Sequence, residues 1–143
     1  MNPSIGEQIM EYLFTLFTAN VTGCTVYRSR QAALALSEGN ALLIEPSSEA
    51  VERKSAYSLM KRDFVLRTMI LVRGDIPDQV ADGIRVPMHA AMMQDQTLGG
   101  LSLSIVEEST EWTYEEADQT AVNVEGRYRI IFATPANSLT SSA

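Results

Sequence analysis

Cysteine and histidine are nearly missing from this sequence, with one of each, Cys24 and His89. A lone cysteine closes no internal disulfide, so the chain is expected to rest on its core and not on the staples of a secreted scaffold. Zinc wants about four Cys, His or carboxylate ligands, and two isolated candidates do not supply them. A Cys–His nucleophilic pair would require Cys24 and His89 to meet from different elements, and no nucleophile signature flanks either one. Long apolar runs are missing too. The longest is Ala32 to Leu36, against the ~20 residues that span a bilayer. The first residues, Met1-Asn2-Pro3-Ser4, lack the basic start and apolar stretch of a signal peptide. Base is scarce: 11 Lys and Arg stand against 18 Asp and Glu, for a net charge of −7. An isoelectric point near 4.6 argues against a chain that coats nucleic acid. A phosphate loop is absent as well, because Gly99-Gly100 has neither the Lys-Ser/Thr partner nor the third glycine of such a loop.

What remains is a chain of 143 residues, 45% hydrophobic and 20% charged, the profile of one soluble, cytoplasmic domain. A chain of this length buries roughly 68–70% of the surface its unfolded form exposes, enough for a core. Ile5, Ile9, Tyr12, Leu13, Leu16 and Phe17 recur at helical steps. Ser4 and Glu7 ahead of them have the spacing of a capping box. Cys24 to Arg28 reads as a short strand. Gln31 to Ser37 reads as an Ala/Leu helix ended by Gly39, and Ala41 to Glu45 as an apolar strand stopped by Pro46. Ser47 to Met60 loses any period and is expected to be a loop, mobile until assembly.

Arg62 to Arg73 predicts a long strand, with Phe64, Leu66, Thr68, Ile70 and Val72 on its buried face. Asp75 to Asp95 predicts the second main helix, its stripe made of Val80, Ala81, Ile84, Met88, Ala91 and Met92. Pro77 suits the first turn; Pro87 removes a hydrogen bond inside the helix and predicts a kink or restart. Gly99 and Gly100 mark a tight structural turn into the next strand. There Leu101, Leu103 and Ile105 alternate with serines, and after Val106 the phase slips to Trp112 and Tyr114, a bulge or an edge continuation. Val122, Val124, Tyr128, Ile130 and Phe132 line the last strand, with Arg127 and Arg129 opposite. The sum is an α+β fold: a mostly antiparallel sheet of about five strands flanked by two main helices. One domain is expected over residues 1–134, with a mobile tail over 135–143.

Little in this pattern carries chemistry. His89 reads as a helix histidine satisfied locally. Glu107, Glu108, Glu111, Glu115, Glu116 and Asp118 form an acidic run with no Lys or Arg inside it. Magnesium chemistry would want oxygen ligands of this kind, but such sites draw on separate elements and add a base for the phosphate. A solvated hairpin end or an acidic docking face fits better. Residues 53–73 are the counterpart, where Arg53, Lys54, Lys61, Arg62, Arg67 and Arg73 face only Asp63. The pairing suggests a head-to-tail contact between copies, of the heterologous kind that closes rings. The expected interface is then Arg53, Lys54, Lys61 and Arg62 of one copy against Glu107, Glu108, Glu111 and Glu115 of the next. Trp112 and Tyr114 would serve as its aromatic anchors. No catalytic, cofactor-binding or metal-binding residue is expected.

One stretch, Val86-Pro87-Met88-His89-Ala90-Ala91-Met92-Met93-Gln94-Asp95-Gln96-Thr97-Leu98-Gly99-Gly100-Leu101, resembles the tail terminator (tail completion) proteins of long-tailed bacteriophages, the minor tail protein U-like family. There a histidine- and alanine-rich helix end runs into an Asp-x-Thr-Leu-Gly-Gly-Leu-like turn. The closing Tyr128-Arg129-Ile130-Ile131-Phe132 and the early Val26-Tyr27-Arg28-Ser29-Arg30 are similar too. The internal Pro87 departs from that pattern. The resemblance implies a virion structural protein of the tail or neck, assembled in the host cytoplasm, without catalysis or cofactor. Its members form a ring, typically a hexamer, that caps the tail tube protein, stops polymerisation and presents a surface to the neck or connector protein. The resemblance implies no membrane and no sequence-specific nucleic acid, although DNA may pass through the ring lumen. A neck or head–tail connector ring is the alternative, and a metal-dependent enzyme using the acidic run the remotest one.

Overall fold

The computed structural model describes residues 2–29, 39–53, 59–116 and 120–141. The expected helix over Gln31 to Ser37 lies outside them. The elements in order are α1 (Ile5–Asn20), β1 (Thr25–Arg28), β2 (Ala41–Arg53), β3 (Leu59–Gly74), α2 (Pro77–Gln94), β4 (Ser104–Glu116) and β5 (Thr120–Pro135). The strands form one sheet in the order β1-β2-β3-β5-β4. All neighbours are antiparallel except β1 and β2. The fold is α+β, as its patterning predicts. No helix among the described residues is long and apolar enough to cross a membrane.

The sheet's period of two decides where the core lies. Phe64, Leu66, Thr68, Ile70 and Val72 of β3 are buried as expected, and so are Val122, Val124, Tyr128, Ile130 and Phe132 of β5. Both helices pack on this face, α1 through Ile5, Ile9, Met10, Leu13 and Phe17, α2 through Ala81, Ile84, Met88 and Met92. On the other face Ala41 and Leu43 are buried among Tyr27, Met69 and Leu71. Charges bridge that face across strands. Glu45 pairs with Arg67, Arg67 stands 3.8 Å from Glu125, and Asp63 and Glu108 each stand 3.8 Å from Arg129.

Several expectations change. Within the expected loop from Ser47 to Met60, the described residues are strand: β2 runs on to Arg53 and β3 begins at Leu59. Pro46 does not stop β2, because the register shifts between Pro46 and Ser48 and the strand resumes beyond the bulge. Along this arm β2 is exposed from Pro46 onward, so no apolar alternation marks it; backbone pairing and cross-strand ion pairs hold it. The capping box is half formed. Ser4 accepts the Glu7 N–H at 3.1 Å, but the Glu7 carboxylate takes both Arg28 guanidinium nitrogens at 2.7 and 2.9 Å, joining α1 to β1. That pairing lowers the Glu7 pKa and raises that of Arg28. The backbone N–H of Ile5 instead meets the Leu139 carbonyl at 2.7 Å, so the chain end beyond β5 closes the first turn of α1. Val80 is exposed, not buried, and α2 runs unbroken through Pro87. Leu101 belongs to the preceding turn and Leu103 is exposed, because β4 starts only at Ser104. The phase slip after Val106 is a bulge on an edge strand: the register shifts between Glu107 and Ser109, leaving Glu108 without an opposite residue.

Gly126 shows how tightly the sheet is set. A Cβ there would stand 2.7 Å from the Thr68 hydroxyl oxygen on β3. Gly126→Val should therefore cost about 1–3 kcal/mol through overpacking and lower the thermal midpoint. Adding Thr68→Ala should recover part of that loss. A Gly126→Val protein that melts like the wild type would show that the close approach constrains nothing.

Candidate functional site

The turn between α2 and β4 is built on Asp95. Its carboxylate accepts the Thr97 N–H at 3.0 Å, the Thr97 hydroxyl at 2.6 Å and the Gly99 N–H at 3.1 Å. A negative charge at a helix C-terminus opposes the helix dipole, so these donors do the holding. They lower the Asp95 pKa, the Thr97 hydroxyl foremost. Gly99 and Gly100 take φ of 71° and 97°, and Leu98 a left-handed 48° that costs a residue with a Cβ about 1–2 kcal/mol. Leu98 is fully buried in the core, which offsets that strain.

Beside this turn α2 meets the edge strand. The His89 Nδ1 lies 2.9 Å from the Tyr128 hydroxyl, so the histidine is satisfied by a strand residue. Burial, aided by the charge of Glu107, pushes the Tyr128 phenol up to about 12. Arg85 donates to the Thr110 hydroxyl at 3.2 Å, stands 3.6 Å from Glu107 and lies over the Trp112 ring at 5.4 Å. Cys24 packs against the core ahead of β1, where burial raises its thiol pKa; it does not pair with His89. Among the described residues no group of three or more His, Cys, Asp or Glu side chains is placed to hold a metal ion.

The expected interface residues divide. Arg62 is bound inside its own hairpin, to Glu49 at 2.7 Å and to the Thr134 hydroxyl at 2.8 Å. Lys61 sits 3.2 Å from Asp63 and 4.0 Å from Glu52. Arg53 is exposed at the end of β2, and Lys54 lies outside the described residues. On β4, Glu107 is held by Arg85, and Glu108 faces Arg129. Glu111, Trp112, Tyr114 and Glu115 are exposed. Register decides which of them can act together. Trp112 and Tyr114 stand opposite Val124 and Val122, on the helix side of the sheet. Glu111 and Glu115 stand opposite Glu125 and Ala121, on the other side. The acids that flank the aromatics in sequence therefore point away from them.

The two ends of the sheet are far apart. Arg62 pairs with Phe132 and Glu115 with Ala121, a separation along β5 of roughly 36 Å. Two residue groups were missed by sequence reasoning. Glu45, Glu49 and Glu52 neutralise the basic arm from the partner strand, and Asp78 and Asp82 are exposed on the first turns of α2.

No family model matches the chain, and no curated protein matches it. Among solved structures, a chain of the virion of a native gene transfer agent particle is similar in fold. The likeness covers 90% of this chain and 95% of that one, with a TM-score of 0.50 and 12% identity. At that identity the likeness is one of fold.

Two outcomes follow from the turn. Gly99→Val should cost more than the ~1 kcal/mol of an ordinary surface change, and more than Gly100→Val. A Cβ at Gly99 would stand 3.2 Å from the Tyr12 ring, whereas nothing lies within 4 Å at Gly100. Asp95→Ala should lower the thermal midpoint above the ordinary aspartate range. Because the folded-state pKa is depressed, that gap should close as pH falls through it. Equal melting of wild type and Asp95→Ala across the whole pH range would dismiss the turn as a support.

Proposed function

We propose that this protein is a tail terminator, a virion structural protein that forms a ring, typically of six copies, on the end of a tail tube. In this reading it stops tube polymerisation and offers a surface to the neck. The observation that carries the proposal is the fold likeness to a chain of a gene transfer agent virion, which runs nearly end to end through both chains. The sequence resemblance points the same way through the Asp95 to Leu101 turn, whose hydrogen bonds and positive φ values explain the Asp, Thr and double Gly.

Geometry supports a ring over a face-to-face pair. An exposed arm end at one extremity of the sheet and an exposed edge hairpin at the other are different surfaces. Contact between them is heterologous, and such contacts close into rings when the rotation allows. The charged residues would then supply register and encounter rate more than affinity.

Disrupting the gene in a phage that carries it should give tails of uncontrolled length, seen by electron microscopy of lysates. Normal-length tails joined to heads without any copy of the protein would refute the terminator reading. Tails of normal length that lack only the head would favour a neck ring instead.

A further inference from the structure

Trp112 and Tyr114 remain about half exposed, at 47% and 53%, on the helix side of β4. Their neighbour is one stripe of α2. Asp78, Asp82, Arg85 and His89 follow at helical steps of four, three and four. His89 and Arg85 of that stripe reach Tyr128, Glu107, Thr110 and Trp112. Moving from His89 to Arg85 along α2 moves from Glu107 toward Trp112 along β4. Along the same stripe Asp82 follows Arg85 after one turn and Asp78 after two, both exposed and in the direction of the Tyr114 end of the strand. Glu116, opposite Thr120, shares the same side. This flank of the sheet therefore exposes two aromatic rings, with Arg85 over that of Trp112, and carries three exposed carboxylates on the same side, Asp78, Asp82 and Glu116.

The arm at the other end of the sheet has the matching chemistry. On its helix side β2 carries Val51, 52% exposed, and Arg53, opposite Arg62 and Met60. Arg62 is neutralised by Glu49. Arg53 makes no ion pair within the described residues, so this side of the arm end presents apolar surface and one unpaired guanidinium. An apolar patch with a cation fits an aromatic shelf rimmed by acids, where a guanidinium stacks on the ring faces.

We infer that the β2–β3 arm end of one copy seats on the Trp112–Tyr114 shelf of the next, with Val51 against the aromatic rings and Arg53 between those rings and Asp78, Asp82 and Glu116. This rests on the ring reading above and specifies its contact. It uses the helix side of β4 and the acids of α2, not Glu111 and Glu115 on the far side.

The test uses particles from cells making cysteine pairs in a Cys24→Ser background, treated with a short bismaleimide. Val51→Cys with Asp82→Cys, on the stripe that borders the shelf, should give a ladder of linked copies. Val51→Cys with Thr113→Cys, on the opposite side of β4, should give none. The reverse result would overturn the inference, and so would rings, measured by sedimentation, in which neither pair links. Absence of rings from wild-type particles would instead remove the ring reading itself. In parallel, Asp78→Lys with Asp82→Lys should abolish assembly while the subunit still unfolds cooperatively, at a midpoint lowered only by the lost helix-dipole pairing, and adding Arg53→Glu should restore part of the assembly. Unimpaired assembly of the double-Lys protein, or failure of Arg53→Glu to restore any, would also overturn the contact.

Discussion

The pairing of β3 with β5 is the constraint on which the rest depends. The two strands stay in register from Leu59 opposite Pro135 to Gly74 opposite Thr120, without a shift. Each contributes alternate residues to the face that both helices cover. A slip of one residue would turn Phe64, Leu66 and Ile70 outward and bring Arg67 inward. The close approach of Thr68 to Gly126 opposes such a slip sterically. β2 and β4 then attach on either side, and their lengths decide which parts of the sheet project beyond the helices.

Projection is what creates the two candidate contact surfaces. Strands that outrun the core have no buried face, so their residues are free to be polar. The β2–β3 arm is held by ladder bonds and cross-strand ion pairs such as Arg62–Glu49, which individually are worth little when exposed. At the opposite end the β4–β5 hairpin places an edge strand in solvent. Its acids and the Glu108 bulge are devices that discourage unspecific pairing along an open edge.

Much of this was legible in the chain. The buried faces of β3 and β5, the bulge after Val106, the Pro77 helix start and the positive φ at Gly99 and Gly100 each follow from local pattern or local sterics. Charge counting along the chain was less informative. It tallied residues 53–73 as strongly basic, whereas Glu45, Glu49 and Glu52 across the ladder neutralise much of that arm. The opposite facing of Glu111 and Trp112 was available from the period of two, but the nearness of those residues in sequence obscured it. Asp78 and Asp82 gave no signal, since an acid in the first turns of a helix is ordinary.

What the sequence determined by itself is therefore what depends on neighbours a few residues apart: periodicity, caps, turns and the identity of each strand's apolar face. Only the tertiary structure decided that Ser47 to Arg53 is strand, that Glu7 serves Arg28 and that Tyr128 satisfies His89. It alone set the β2–β3 arm end and the acidic β4 end of the sheet apart. These are pairings between segments distant along the chain. Their geometry comes from strand order and register, which no local pattern encodes.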